Sequence, residues 1–184
     1  MASEKVLTPE FRASFVHVFK PKAFGTGEPK YSVMMIFDQK TDISALKTIA
    51  LEAAKEKWGD KLPSNFRGPF RDGAEKAHLD GLGPGTVFST ASTTTPPGVV
   101  DRNIQAILDP SDFYSGCYAR ATVNAFAYDR NGNRGVSFGL QNIQKLRDGV
   151  PLSGRSRPED DFDALGDEDM IAASAGDSAD PMFA

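Results

Sequence analysis

Tyr118, Arg120, Thr122, Asn124, Phe126 and Tyr128 alternate with Cys117, Ala119, Ala121, Val123, Ala125 and Ala127 along a single segment. A period of two puts small apolar side chains on one face of a strand and aromatic rings beside a guanidinium on the other. Cations that neutralise phosphates and rings on which bases stack, at ~1–3 kcal/mol per base, are the ingredients of single-stranded nucleic-acid binding. The same residue types recur in other strand-compatible places. Lys20, Lys22 and Lys30 bracket a glycine turn, with Tyr31 directly after; Arg67, Phe70 and Arg71 share a loop; Arg102, Tyr114, Arg134 and Lys145 flank the later strands. Phe15, Phe37 and Phe138 are assigned to the core instead.

Catalytic constellations are missing from the pattern. His17 lies on an apolar strand face and His78 in a loop, and both read as structural histidines, with no serine elbow or cysteine partner in a triad-like arrangement. The run Gly81-Leu82-Gly83-Pro84-Gly85 lacks the lysine and hydroxyl of a phosphate-binding loop, and no helix follows it. Asp109 and Asp112 flank Pro110-Ser111 in a turn composition, and the acidic run 159–163 has no rigid frame with which to hold a metal. Cys117 is the only cysteine, which excludes an intramolecular disulfide and a multi-cysteine zinc site; it reads as a small buried apolar residue. No cofactor or metal is expected.

The elements that must position these residues follow from periodicity. Residues 11–19 alternate as a strand ended by Pro21, with Phe11, Ala13, Phe15, His17 and Phe19 on one face. Residues 30–38 are apolar on both faces, as in a strand covered on two sides. Thr41 or Asp42 caps a helix through about residue 57, stopped by Gly59. Residues 60–85 form a long loop with at most short strands; 86–93, 99–108 and 116–128 are further strands. The Asn131-Gly132 turn leads into a hairpin partner at 134–143. The count is six or seven strands and one helix, a mainly β chain whose natural architecture is an antiparallel barrel or sandwich, with a small partly open barrel favoured.

Charge divides the chain. It holds 21 Lys+Arg and 25 Asp+Glu for a net charge of −4, yet after Arg157 there is no further base and nine acids remain, leaving 21 against 16 in the body. A body charge of +5 suits a polyanionic partner. The segment 158–184 is too acidic and too poor in apolar residues to fold, and is expected to be a disordered tail ending in Pro181, Met182, Phe183 and Ala184. The body, 1–157, has the size of one domain. No run is long and apolar enough to span a membrane and no secretory signal is visible, so a cytoplasmic location is expected.

Four segments carry a resemblance: F-K-P-K-A-F-G-T-G-E-P-K-Y-S (19–32), P-P-G-V-V-D-R-N (96–103), D-P-S-D-F-Y-S-G-C-Y-A-R-A (109–121) and G-L-Q-N-I-Q-K-L-R-D-G (139–149). With them the chain resembles a family of phage single-stranded DNA-binding proteins. The resemblance implies an OB-fold, a five-stranded partly open Greek-key barrel with one inserted helix, binding single strands without sequence preference. It also implies that the acidic tail, through Asp177, Asp180, Met182 and Phe183, recruits replication proteins such as a polymerase or helicase, in the host cytoplasm. Here Ala184 follows the terminal ring. The tail would compete with DNA for the basic groove, and the pattern permits a homodimer, one copy's tail in another's groove, without requiring it. Two other classes fit the residues: a β-sandwich structural or assembly protein of a virion, and a nuclease, although Asp72, Glu75 and Lys76 lack the usual carboxylate-x-lysine spacing.

Overall fold

Alternating hydrophobicity is converted into strands that curl around one core. The computed structural model describes residues 4–23, 25–152 and 165. Its strands are β1 (Val6–Leu7), β2 (Phe11–Lys22), β3 (Lys30–Asp38), β4 (Phe66–Arg67), β5 (Arg71–Asp72), β6 (Thr86–Thr93), β7 (Gly98–Val100), β8 (Tyr118–Arg130) and β9 (Asn133–Arg147). One α-helix, α1 (Ser44–Trp58), follows β3. The chain divides into the units Met1–Gly154 and Arg155–Ala184, and only Leu165 of the second is described. The tail residues Asp177, Asp180, Met182 and Phe183, and the expected border at Arg157, lie outside the described residues.

Five long strands pair in a ring. β2, β3 and β6 form an antiparallel meander, and β8 and β9 a long hairpin whose turn has positive φ at Asn131 (53°) and Gly132 (81°). Two short seams join the halves. β2 meets β8 at Phe11↔Ala119 and Arg12↔Tyr118, and β6 runs parallel to β9 at Ala91↔Phe138 and Ser92↔Gly139. The order β8-β2-β3-β6-β9 is therefore only partly closed, the OB-like arrangement expected.

The small face of β8 is buried as read: Ala119, Ala121, Val123 and Ala125 pack with Val33, Met35, Phe37, Phe138 and Ile143. Leu46, Ile49, Ala50, Ala53 and Ala54 of α1 complete this cluster, and small side chains on α1 and β8 let the two elements lie close. The Asp42 carboxylate accepts the Ser44 N–H at 3.0 Å, and Gly59 ends the helix with φ 70°. β3 is covered on its other face too, where Ile36, Leu82 and Phe88 pack with Met34, Leu79 and Leu152.

Three expectations are corrected. β2 continues through Pro21, because past His17 its pairing is irregular until Lys22↔Lys30, so a missing N–H breaks no regular ladder. Phe15 is not core: the register shifts between Ser14 and His17, Phe15 takes φ 45°, and its side chain turns outward with 46% exposure. The strand expected over 99–108 stops at Val100. There the Asp101 carboxylate accepts the N–H groups of Asn103 (2.8 Å) and Gln105 (3.0 Å), a side-chain turn that folds the chain back on itself.

Phe138 lies at the β6–β9 seam, fully buried, with Phe70 edge-on at 5.6 Å. Phe138→Ala is expected to cost about 3–5 kcal/mol, a fall in melting temperature of roughly 6–20 °C. A thermal melt with an unchanged midpoint would show that this ring does not hold the seam.

Candidate nucleic-acid interface

The short seam between β6 and β9 leaves an opening, and residues 66–72 fill it. β4 joins the β9 side at Phe66↔Arg134 and Arg67↔Gly135; β5 joins the β6 side at Arg71↔Phe88 and Asp72↔Val87. Between these anchors Phe70 turns inward onto Phe138, while Arg67 and Arg71 stay exposed. Asn65 Nδ2 donates to the Gly132 carbonyl at 2.5 Å, tying the bridge to the hairpin turn. Gly135 is required where these elements converge, because a Cβ there would collide with the Arg67 carbonyl and the Tyr128 hydroxyl.

Arg67, Arg71 and Lys76 line a hollow of about 310 Å³ with Tyr128, over a floor that includes Met34, Phe88 and Thr90. Three cations and no carboxylate line it, so the wall favours an anion, and Tyr128 adds a ring at the edge. Lys76 was not among the candidates; its only sequence signal was its closeness to Asp72 and Glu75, and Asp72 instead accepts the Ala74 N–H at 2.9 Å. Groups of three or more side chains able to hold a metal ion are absent among the described residues.

Alternation carries the face away from this hollow along β3, through Met34 and Ser32 to Lys30, about 13 Å at 3.3 Å per residue. Lys30 stands opposite Lys22, and Lys20 is exposed nearby on β2. Tyr31 pairs with Thr93 on the alternate parity. Partial burial, and then the charge of Lys22, hold the His17 imidazole below its usual pKa. The neutral form is thus favoured in the fold, so this contribution to stability is present above the ordinary histidine pKa and is lost as pH falls through the folded value.

The other candidates are dispersed. Tyr114 forms a clasp: its hydroxyl lies 2.9 Å from Asp148 Oδ1 and 3.1 Å from the Gly149 carbonyl, and accepts the Gly149 N–H at 3.2 Å. Lys145 lies over that ring and pairs with Asp148 at 2.7 Å. Tyr118 has the Arg147 guanidinium 3.7 Å from its ring centroid and that of Arg12 at 5.8 Å, and Glu10 holds Arg147 at 2.8 Å. Arg120 donates to Gln144 Oε1 at 2.8 Å, and Gln144 in turn reaches the carbonyls of Asp101 and Arg102, so both arginines belong to a separate region near Leu7 and Ile104. Arg134 pairs with Asp129 at 3.1 Å across the hairpin. Cys117 is fully buried, and desolvation raises its thiol pKa.

Known proteins share this fold. The family described as the ssDNA-binding protein of Enterobacter phage Enc34 matches residues 4–172. The chain belongs to this family. Protein p50 of Acyrthosiphon pisum secondary endosymbiont phage 1 is 33% identical over 188 residues, covering 92% of this chain and 100% of p50. Among solved structures, the single-stranded DNA-binding protein of bacteriophage Enc34 in complex with ssDNA has a TM-score of 0.67 at 21% identity, over 81% of this chain and 89% of that one. The single-stranded DNA-binding protein gp2.5 of bacteriophage T7 has a TM-score of 0.63 at 14% identity, over 85% and 99%. The resemblance read from the four segments is therefore correct at the level of the family, and the solved structures show the same OB-like fold. No described helix is long and apolar enough to cross a membrane.

In this family member Tyr114 serves the clasp at 148–149. Tyr114→Phe removes its hydroxyl bonds and is expected to cost about 1 kcal/mol, lowering the melting temperature by roughly 2–4 °C. An unaltered melt would leave the hydroxyl free for another role.

Proposed function

We propose that this protein binds single-stranded DNA without sequence preference during phage replication or recombination, in the host cytoplasm, protecting exposed strands. The observation that carries the reading is the hollow at the half-closed seam, lined by the exposed Arg67 and Arg71 and the half-buried Lys76 beside Tyr128, with no carboxylate among the lining residues. Such a wall attracts phosphates irrespective of base, and a ring beside it offers a sequence-tolerant stacking face. Family membership and the Enc34 protein's complex with ssDNA support the same reading. Lys22 and Lys30 extend the cationic path along β2 and β3. The role is one of binding rather than catalysis.

The acidic segment completes the proposal. Its charges, opposite to those of the body, compete with DNA for the hollow at high effective concentration, most strongly at low salt. Displaced by DNA, it presents Met182 and Phe183, with Asp177 and Asp180, to a polymerase, helicase or similar replication protein. The same segment can reach a second copy, giving a homodimer.

Oligonucleotide titrations across salt concentrations test this. Arg67→Ala and Arg71→Ala should each flatten the dependence of log K on log salt by about 0.7. Loss of all binding in both the full chain and a truncation after Arg157 overturns the function. That truncation should bind more tightly at low salt; weaker binding would reject competition by the acidic segment.

A further inference from the structure

Phe15 breaks the pattern of its own strand. Its neighbours Phe11, Ala13 and Ser14 are buried, yet at the β2 bulge its backbone takes φ 45° and its ring is 46% exposed. A bulky residue in the left-handed region is a genuine outlier, and such strain persists where the surroundings impose it, as it does at many functional sites. The strain has a spatial result: it swings an aromatic ring out of the core.

That ring lines a second hollow, of about 330 Å³, with Ser14, His78, Leu79, Asp80, Ser115 and Leu152. The two hollows share a ridge. Met34 and Phe88 line the cationic one, Leu79 and Leu152 line this one, and all four belong to the cluster on the outer face of β3. They also share a rim, since Lys76 faces the first and His78 begins the wall of the second, two residues further on and at most about 7 Å along the chain. Ser14, in the second hollow, stands directly opposite Met34, in the first.

Their chemistry differs. The cationic hollow has three positive groups and no carboxylate; the Phe15 hollow has no lysine or arginine in its lining and contains Asp80. A phosphate is disfavoured there. A flat, uncharged, aromatic group is favoured, with Phe15 and the two leucines for its faces and the hydroxyls of Ser14 and Ser115, together with His78 and Asp80, for its polar edge. We infer that the Phe15 hollow is a nucleobase subsite, in which Phe15 stacks on a base whose strand is held by the adjoining cationic hollow. The inference rests on the proposed single-strand binding and extends it to a residue and a ligand class outside the cationic wall.

Full-length protein and a thymidine oligonucleotide supply the test. Phe15→Ala and Phe15→Gly should each weaken binding by roughly 5- to 150-fold, with the salt slope unchanged because no ionic contact is removed. Phe15→Gly accepts positive φ without strain, so its melting temperature should be at least that of the parent, and its lost affinity is then not a loss of fold. In Phe15→Trp, the oligonucleotide should quench fluorescence beyond the change seen in the parent, whose only tryptophan is Trp58. If the parent does not bind the oligonucleotide, the proposed function fails. If the parent binds and Phe15→Gly binds equally well, the subsite alone fails. Quenching of Phe15→Trp by a peptide of residues 175–184 but not by the oligonucleotide would assign the hollow to the acidic segment and overturn the subsite.

Discussion

The parallel contact between β6 and β9, two residue pairs long, is the constraint on which the rest depends. Direct pairing ends on either side of it, where β9 pairs instead with β4 and with β7, and a cylinder left open before Phe138 would expose that ring to water. The chain resolves this by laying residues 66–72 into the gap, β4 against one strand and β5 against the other. A short extended bridge has two faces, and burial assigns them: Phe70 seals the core while Arg67 and Arg71 are turned to solvent. The element that closes the barrel thereby also builds the cationic wall.

Economy of side chains on the facing strands makes that wall usable. β9 presents Gly135 under the Tyr128 ring, so backbone and aromatic can approach where any larger residue would collide. The ordered loop after the bridge adds Lys76 to one hollow and His78 to the next. The two sides of β3 are divided: its inner face packs into the main core, and its outer face carries the small apolar ridge between the hollows.

Much of the scaffold was legible because it is local. The small-apolar alternation of β8, the double coverage of β3, the helix stopped at Gly59 and the Asn131-Gly132 hairpin all follow from periodicity and turn chemistry. The candidate site was legible in composition more than in membership. Arg67, Arg71 and Tyr128 converge, whereas Tyr114 closes a clasp, Phe70 fills the core, and Arg102 with Arg120 lies in another region. Phe15 was assigned to the core and Lys76 was weighed only for a nuclease, because a bulge shifts alternation without a sequence mark and a half-buried lysine looks like any surface one.

By itself, then, the sequence determined the β-rich class, the order and faces of its regular strands, the single helix, the split between a basic body and an acidic end, and the family. Those properties depend on near neighbours in the chain or on sums over it. Only the tertiary structure decided which cations share a wall and which rings are available, because that depends on where β6 and β9 part and on which face of residues 66–72 the core requires. Burial is a competition among all side chains at once, and its outcome is not written in any one segment.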